Sequence, residues 1–235
     1  MRKPDEFSFA KYARADAFDE HINKSIRGNN HLREDCVRFS QYFIQPKTQV
    51  IDLGCSSGAL LRDVRDYNVG RFEGVKYVGL DVEAEFAKQW KKLSAANLKF
   101  FKKDARKFSN KNASLIFSLF VFQFLPEQDR LPLVKKIYDA LTPGGAFIIS
   151  EKVLAKNAKF QDMLAMTYYD FKKQSFSEKE ILDKEASIRN QMKLWSEFKL
   201  FEMLRAAGFA SSHTQLFWRN HLFVGIVAMK PASYR

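Results

Sequence analysis

The feature that most constrains this chain is the nonapeptide Val50-Ile51-Asp52-Leu53-Gly54-Cys55-Ser56-Ser57-Gly58. Residues 50–53 read as a short buried strand, the small residues behind them as a turn, and residues 59–66 as a helix. A strand that runs through a glycine-punctuated turn into a helix opens many nucleotide-binding α/β domains. The glycines release the turn from the Cβ restriction, and the helix N-terminus aims amide hydrogens at a ligand. An ordinary strand-to-helix turn of an unrelated α/β protein is the competing reading. Asp81, at the end of the next predicted strand, stands where a ribose-binding carboxylate belongs and favours the ligand.

The spacing Asp52-x-Gly54-x-Ser56-x-Gly58 has no second pair of close glycines for a pyrophosphate. It resembles instead the first motif of class I S-adenosylmethionine (SAM) methyltransferases, with Ser56 where a glycine is usual. The resemblance implies a Rossmann-like α/β fold with a mostly parallel seven-stranded sheet, and SAM as the ligand. It places the amino-acid end of SAM along Gly54, Cys55 and Ser56, with Asp52 and Gly58 as further cofactor-binding residues of the motif, and the ribose on Asp81 beside Val82. The adenine falls near Asp104 and Ala105, behind the strand-like residues 98–101, and Leu119 closes the fourth strand.

The 235 residues suffice for one α/β domain with an insertion and hardly for two cores. No apolar run is long enough to span a bilayer, and residues 1–9 are charged without an apolar signal core. Cys36 and Cys55 have neither metal spacing nor the density of a disulfide framework. The expectation is a cytoplasmic protein without a metal or a membrane. Twenty-three phenylalanines predict a dense core with aromatic surface left for a pocket or partner. The net charge of +12 makes an acidic macromolecule a reasonable partner, against the plainer reading of a basic solvated surface.

Residues 1–46 read as an N-terminal helical lid or cap, and residues 47–235 as the SAM-binding domain. Within the former, Leu32, Cys36, Phe39 and Phe43 share one face of a helix over 31–44 that should pack on the sheet. Residues 75–80 predict the second strand and 84–93 a helix bearing Phe86 and Trp90, with Lys88, Lys91 and Lys92 solvated. Lys99, Lys102, Lys103, Arg106 and Lys107 continue the basic run around Asp104, as a solvated helix and loop or as a nucleic-acid patch. Residues 114–122 are almost wholly apolar, as in a central parallel strand. A helix over 130–141, a stop at Thr142-Pro143-Gly144-Gly145 and a strand over 146–151 follow. A helical insertion at 155–193 then interrupts the alternation, with the cluster Tyr168-Tyr169-Asp170-Phe171. A helix over 195–207 and strands over 212–218 and 221–229 close the chain.

A narrower resemblance runs over nearly the whole chain. Phe18-Asp19-Glu20, Ser25-Ile26-Arg27-Gly28, residues 48–56, Gln123-Phe124-Leu125, Lys136-Ile137-Tyr138, residues 143–152, Asp170-Phe171-Lys172 and Ser177-Glu178-x-Glu180-Ile181 together resemble the carboxy-SAM synthases. That family is a homodimer that makes carboxy-SAM from SAM and prephenate, for modification of tRNA wobble uridine. Gly54, Cys55, Ser56, Asp81 and Asp104 agree with its ligand pattern. Asn29 replaces a tyrosine, Leu119 an asparagine, and Glu185 a carboxylate-binding arginine, with Arg189 one helical turn further on.

The leading expectation is therefore a SAM-dependent methyltransferase of unidentified acceptor, its catalytic residues unassigned and Tyr168, Tyr169 and Arg189 as substrate-side candidates. The sulfonium is already an activated electrophile, so alignment of a nucleophile and exclusion of water suffice. Carboxy-SAM synthesis is the alternative, and it needs a cation for the new carboxylate, which a glutamate cannot supply. A non-catalytic SAM-binding or nucleic-acid-binding subunit is the third reading. A homodimer through the insertion and contact with tRNA are the partners expected.

Overall fold

The computed structural model describes residues 15–232 apart from Asn110 and Asn190; residues 1–14 of the expected lid lie outside the described residues. The chain runs through α1 (Ala15–Ser25), α2 (Asn29–Phe43), β1 (Gln49–Leu53), α3 (Ala59–Tyr67), β2 (Lys76–Asp81), α4 (Ala87–Leu93), β3 (Leu98–Lys102) and β4 (Ala113–Leu119). It continues with α5 (Glu127–Ala140), β5 (Leu141–Leu154), α6 (Ala158–Lys173), α7 (Glu178–Ile188), β6 (Trp195–Ser196), α8 (Glu197–Ala207), β7 (Thr214–Asn220) and β8 (Phe223–Met229).

The strand order is β3-β2-β1-β4-β5-β8-β7. β1 to β5 pair in parallel, and β8 lies antiparallel between β5 and β7. The chain order reverses between β1 and β4, so a crevice opens there at the carboxyl ends of the strands, where ligands bind in open α/β sheets.

Alternation along the strands builds two cores. Ile51, Leu53, Ile116, Phe147 and Ile149 face one way, against α5 and α8. Val50, Leu115, Phe117, Ala146 and Ile148 face the other, against α2 and α3. The central strands β1, β4 and β5 are thus buried on both faces, which is why they read as apolar runs. Leu32 and Cys36 of α2 are fully buried in the second core, as the helical spacing predicts.

Three of the boundaries that differ from the sequence reading have a plain structural cause. The apolar run after Ala113 leaves the sheet at Leu119, because Phe120 takes a left-handed φ of 61° and residues 122–124 form a 3-10 turn. Residues 142–145 do not separate helix from strand but belong to β5, where the register against β4 shifts. Trp195 and Ser196 form a short parallel pairing with β5 instead of the first turn of a helix, which adds an eighth strand to the seven expected. The insertion is helical as expected, a hairpin of α6 and α7, the second opened by a Ser177–Glu180 capping box.

Candidate functional site

The turn after β1 is fixed from three sides. The amides of Gly54 and Cys55 donate to the Leu80 carbonyl at 2.7 and 3.0 Å. The Trp90 indole donates to the Ser56 carbonyl at 2.8 Å, and Ser57 Oγ donates to Asp19 Oδ1 at 2.9 Å. Gly54 has φ 80°, and a Cβ there would run into Val121 Cγ2. The backbone and the β4 turn can therefore approach each other only at a glycine.

Asp81 ends β2 with both carboxylate oxygens engaged: Oδ2 accepts from the Ser56 amide at 2.8 Å and Oδ1 from the Glu83 amide at 2.9 Å. Each oxygen keeps a lone pair toward the cleft, the disposition a pair of ribose hydroxyls requires. Burial raises the pKa of Asp81, opposed by these amide donors. Asp52 is buried behind it and pushed up to about 7, first by burial and then by the Asp81 charge, with Arg33 in opposition. Two inward carboxylates with too few counter-charges suit a ligand that carries its own cations, and SAM carries an ammonium and a sulfonium.

A cleft of about 620 Å³ opens over this turn, lined by Gly54, Ser56, Asp81, Val82, Asp104, Ala105 and Leu119 among others. It continues into a smaller chamber of about 110 Å³ that adds Asp52, Cys55, Asn29 and Arg33, with Gly54, Ser56 and Leu119 common to both. Nine of the ten expected ligand residues thus converge on one space. Gly58 lines neither part. It precedes α3 with φ 83°, and Phe100 packs where its Cβ would stand, so its glycine serves the fold under the turn. Cys55 carries no thiolate, since burial and the two aspartates hold its pKa well above the ordinary value.

The substrate-side candidates lie elsewhere. Tyr168 is buried with its ring against Phe223, Tyr169 and His221, and Lys152 Nζ and Lys172 Nζ sit 5.1 and 5.2 Å from its centre. Tyr169 is half-buried and Arg189 is exposed at the end of α7. None of the three lines the cleft. The aromatic cluster stays together, Tyr168 and Tyr169 with ring centres 5.7 Å apart and Phe171 sharing His221 with Tyr168, but it packs inside the fold and not on the cleft. Arg189 does not stand in for the missing arginine beside Glu185. The cations there are Lys172, 3.6 Å from Glu185, and Lys152, 3.9 Å from it.

The sequence reading missed the aromatic wall. Phe18, Phe86, Phe120 and Phe124 line the cleft from α1, the turn before α4 and the turns after β4. It also missed Arg106, which holds Asp104 through both carboxylate oxygens and faces the cleft itself. An Asp followed two residues later by a donor in a loop is an Asx-turn signal that could have disclosed that pair. Glu151 was passed over as the end of a strand. It is buried and accepts the amides of Val121, Phe122 and Gln123 at 3.2, 2.8 and 2.8 Å, which holds the turn behind Phe120 in place. Burial pushes Glu151 up to about 8 against those donors and Arg130.

Among the described residues no group of three or more His, Cys, Asp or Glu side chains could hold a metal ion. Nor is any helix among them long and apolar enough to cross a membrane.

Comparison with known proteins agrees with this geometry. The family described as a methyltransferase domain matches residues 51–147. The carboxy-S-adenosyl-L-methionine synthase of Staphylococcus epidermidis is 30% identical over 230 residues, covering 97% of this chain and 98% of that protein. The enzyme of the same name from Shewanella baltica is 33% identical over 222 residues, 92% of this chain and 90% of its own. Among solved structures, a SAM-dependent methyltransferase from Aquifex aeolicus superposes with a TM-score of 0.59 at 18% identity, covering 96% of this chain and all of that one, a likeness of fold.

Proposed function

The chain belongs to the carboxy-S-adenosyl-L-methionine synthase family, and on that premise we propose that it binds SAM in the Gly54–Asp81 cleft and transfers the sulfonium methyl group to an acceptor. The observation that carries this reading is Asp81, which closes the ligand turn through the Ser56 amide while keeping acceptor capacity toward the cleft. The bound sulfonium supplies the electrophile. This chain's own residues align and shield it: Phe120, Phe124 and Leu125 form an apolar wall that keeps water from the methyl carbon.

The carboxylate-binding side of the family's pattern is altered. Asn29 lines the inner chamber with its amide turned to Asn23, Leu119 presents an apolar side chain, and Glu185 lies outside the cleft. None of the three donates to a carboxylate next to the methyl group. This favours methyl transfer over carboxy-SAM synthesis.

One observation favours the second reading. Lys152 and Lys172 share the single carboxylate of Glu185, which leaves one positive charge in surplus. They sit one aromatic layer behind the cleft wall: Phe120 meets Phe223 at 5.7 Å, and Phe223 meets Lys152 at 5.9 Å. Carboxy-SAM synthesis would need that layer to turn aside so that a lysine reaches the new carboxylate.

Mass spectrometry of the nucleoside that co-purifies with the chain, followed by incubation with SAM with and without prephenate, separates the two. SAM or S-adenosylhomocysteine without a carboxylated product is the result expected. Carboxy-SAM formed only in the presence of prephenate would overturn methyl transfer and assign the lysine pair to the carboxylate. Absence of any SAM binding would overturn both.

A further inference from the structure

Beside the cleft, the basic charge is concentrated on one margin of the sheet. Residues 86–111 hold nine Lys and Arg side chains against one acid, Asp104, a balance of +8 out of the whole chain's +12. Arg106 already occupies Asp104 and reaches on to Asp129, so these two acids are engaged. Among the described residues, Lys88, Lys91, Lys99, Lys102, Lys103 and Lys107 form no ion pair, and all but Lys103 are exposed. This segment is α4, β3 and the turn after it. β3 is the terminal strand of the sheet and pairs only with β2.

Two further features set this margin apart from a merely solvated face. Phe101 stands between Lys99 and Lys103 with 48% of its surface exposed, an aromatic ring held in water beside several cations. And Lys103 lines the SAM cleft, beside Asp81, Glu83 and Asp104, so the basic surface reaches the cleft mouth. Lysines on an edge strand also block pairing with other chains. That role covers Lys99 and Lys102, but not Lys88 and Lys91 on a helix, nor Lys107 beyond the strand.

From this we infer that the β3 margin is a binding surface for single-stranded nucleic acid, its phosphates on the unpaired lysines and one base stacked on Phe101. A row of cations satisfies a phosphate backbone without reading sequence, and an exposed ring beside the row accepts any base by its face. A duplex keeps its bases stacked inside and offers the ring nothing, so the surface selects the single strand. A strand held here ends at the mouth of the SAM cleft. The inference does not depend on which reaction the cleft performs.

The test is fluorescence anisotropy of a labelled 20-nucleotide oligouridylate with the full chain over a range of potassium chloride concentrations. The triple variant Lys91→Glu, Lys99→Glu, Lys107→Glu should bind at least about tenfold more weakly, with a salt slope lower by about 2, as three lost phosphate contacts require. The variant Arg38→Glu, Lys156→Glu, Lys159→Glu makes the same change in net charge on exposed positions elsewhere, and its affinity should stay within threefold of the parent. Phe101→Ala should bind about tenfold more weakly with its salt slope unchanged. A duplex of equal length should bind more weakly than the single strand. Equal weakening by the two triple variants would overturn the assignment, since net charge alone would then explain binding. So would an unaffected Phe101→Ala, displacement of the oligonucleotide by polyglutamate at equal charge concentration, or no binding by the parent. The single variant Lys91→Glu on α4 keeps the test open if the triple variant fails to fold.

Discussion

Replacing Asp81 by Asn keeps its shape and removes one of its two jobs. The carboxylate accepts the Ser56 amide on one oxygen and the Glu83 amide on the other. An asparagine amide has one oxygen and one NH2, so one of those amides meets a donor and is left unpaired, at a cost of about 1–3 kcal/mol. A hydroxyl of the ligand also exchanges a charge-assisted acceptor for a neutral one, or for a donor, worth about 1–2 kcal/mol more. Relief of the repulsion with Asp52 works in the opposite direction in the ligand-free chain. The unpaired amide is thus a cost to the fold, which this relief offsets in part, and the hydroxyl contact is the part that falls on binding. The hydroxyl contact alone, about 1–2 kcal/mol, corresponds to a Kd for SAM raised about 5- to 30-fold. Isothermal titration calorimetry with SAM measures it, and urea melts of the ligand-free protein check that the fold is intact. A Kd within threefold of the parent would refute both the ribose assignment and the role of Asp81 in closing the turn. A loss of binding matched by an equal loss of stability would assign Asp81 to the fold alone.

Gly54→Ala puts a methyl group against Val121 at a left-handed φ, so the turn must shift; SAM should no longer raise the melting temperature, and an undiminished ligand-induced shift counts against the close approach. Asp52 has a folded-state pKa of about 7 against an ordinary 3.8, so the folded chain holds the extra proton between those values. Stability of the ligand-free protein therefore falls as pH rises from about 4 to 7. Asp52→Asn escapes that loss, and its stability relative to the parent in urea melts should grow from pH 5 to pH 8, by at most about 3 kcal/mol at 1.36 kcal/mol per pKa unit; a difference that does not vary with pH contradicts buried ionisation as the cause. Glu185→Gln leaves Lys152 and Lys172 without their shared carboxylate while burial already lowers the pKa of both. It should destabilise by about 1–3 kcal/mol in urea melts, and the further change Lys172→Met should restore much of that; failure of the second substitution to help would show that the lysines do not repel each other there.

The part of the site that was legible in the sequence is the part made by one continuous backbone stretch. Between residues 50 and 58 the strand, the turn and the helix start each leave a local mark, and Asp81, which ends a strand, and Asp104, which caps the turn after one, are equally local. The cleft wall left no such mark. Phe18, Phe86, Phe120 and Phe124 are four among twenty-three phenylalanines, and only the crossing of α1 and two turns over the same strand ends decides which of them meet. Tyr168 shows the converse error. The sequence offers it as a substrate-side residue, whereas the helix turns it inward onto Phe223, Lys152 and Lys172, with Tyr169 still beside it.

Charge follows the same rule. Glu185, read in place of an arginine, looked like repulsion at the reacting centre. In three dimensions it lies outside the cleft and counterbalances Lys152 and Lys172, so the swap moves charge between neighbours in a buried cluster. The lysines of residues 86–111 were visible as a run, but a run does not say whether acids from elsewhere in the chain come to meet it. Here the fold carries that segment to the terminal strand, with a partner strand on one side only. Among the described residues β3 has no second neighbour, and none of their strands brings acids to its outer side. The same topology that places Asp81 and Asp104 at the cleft leaves the basic margin open beside it.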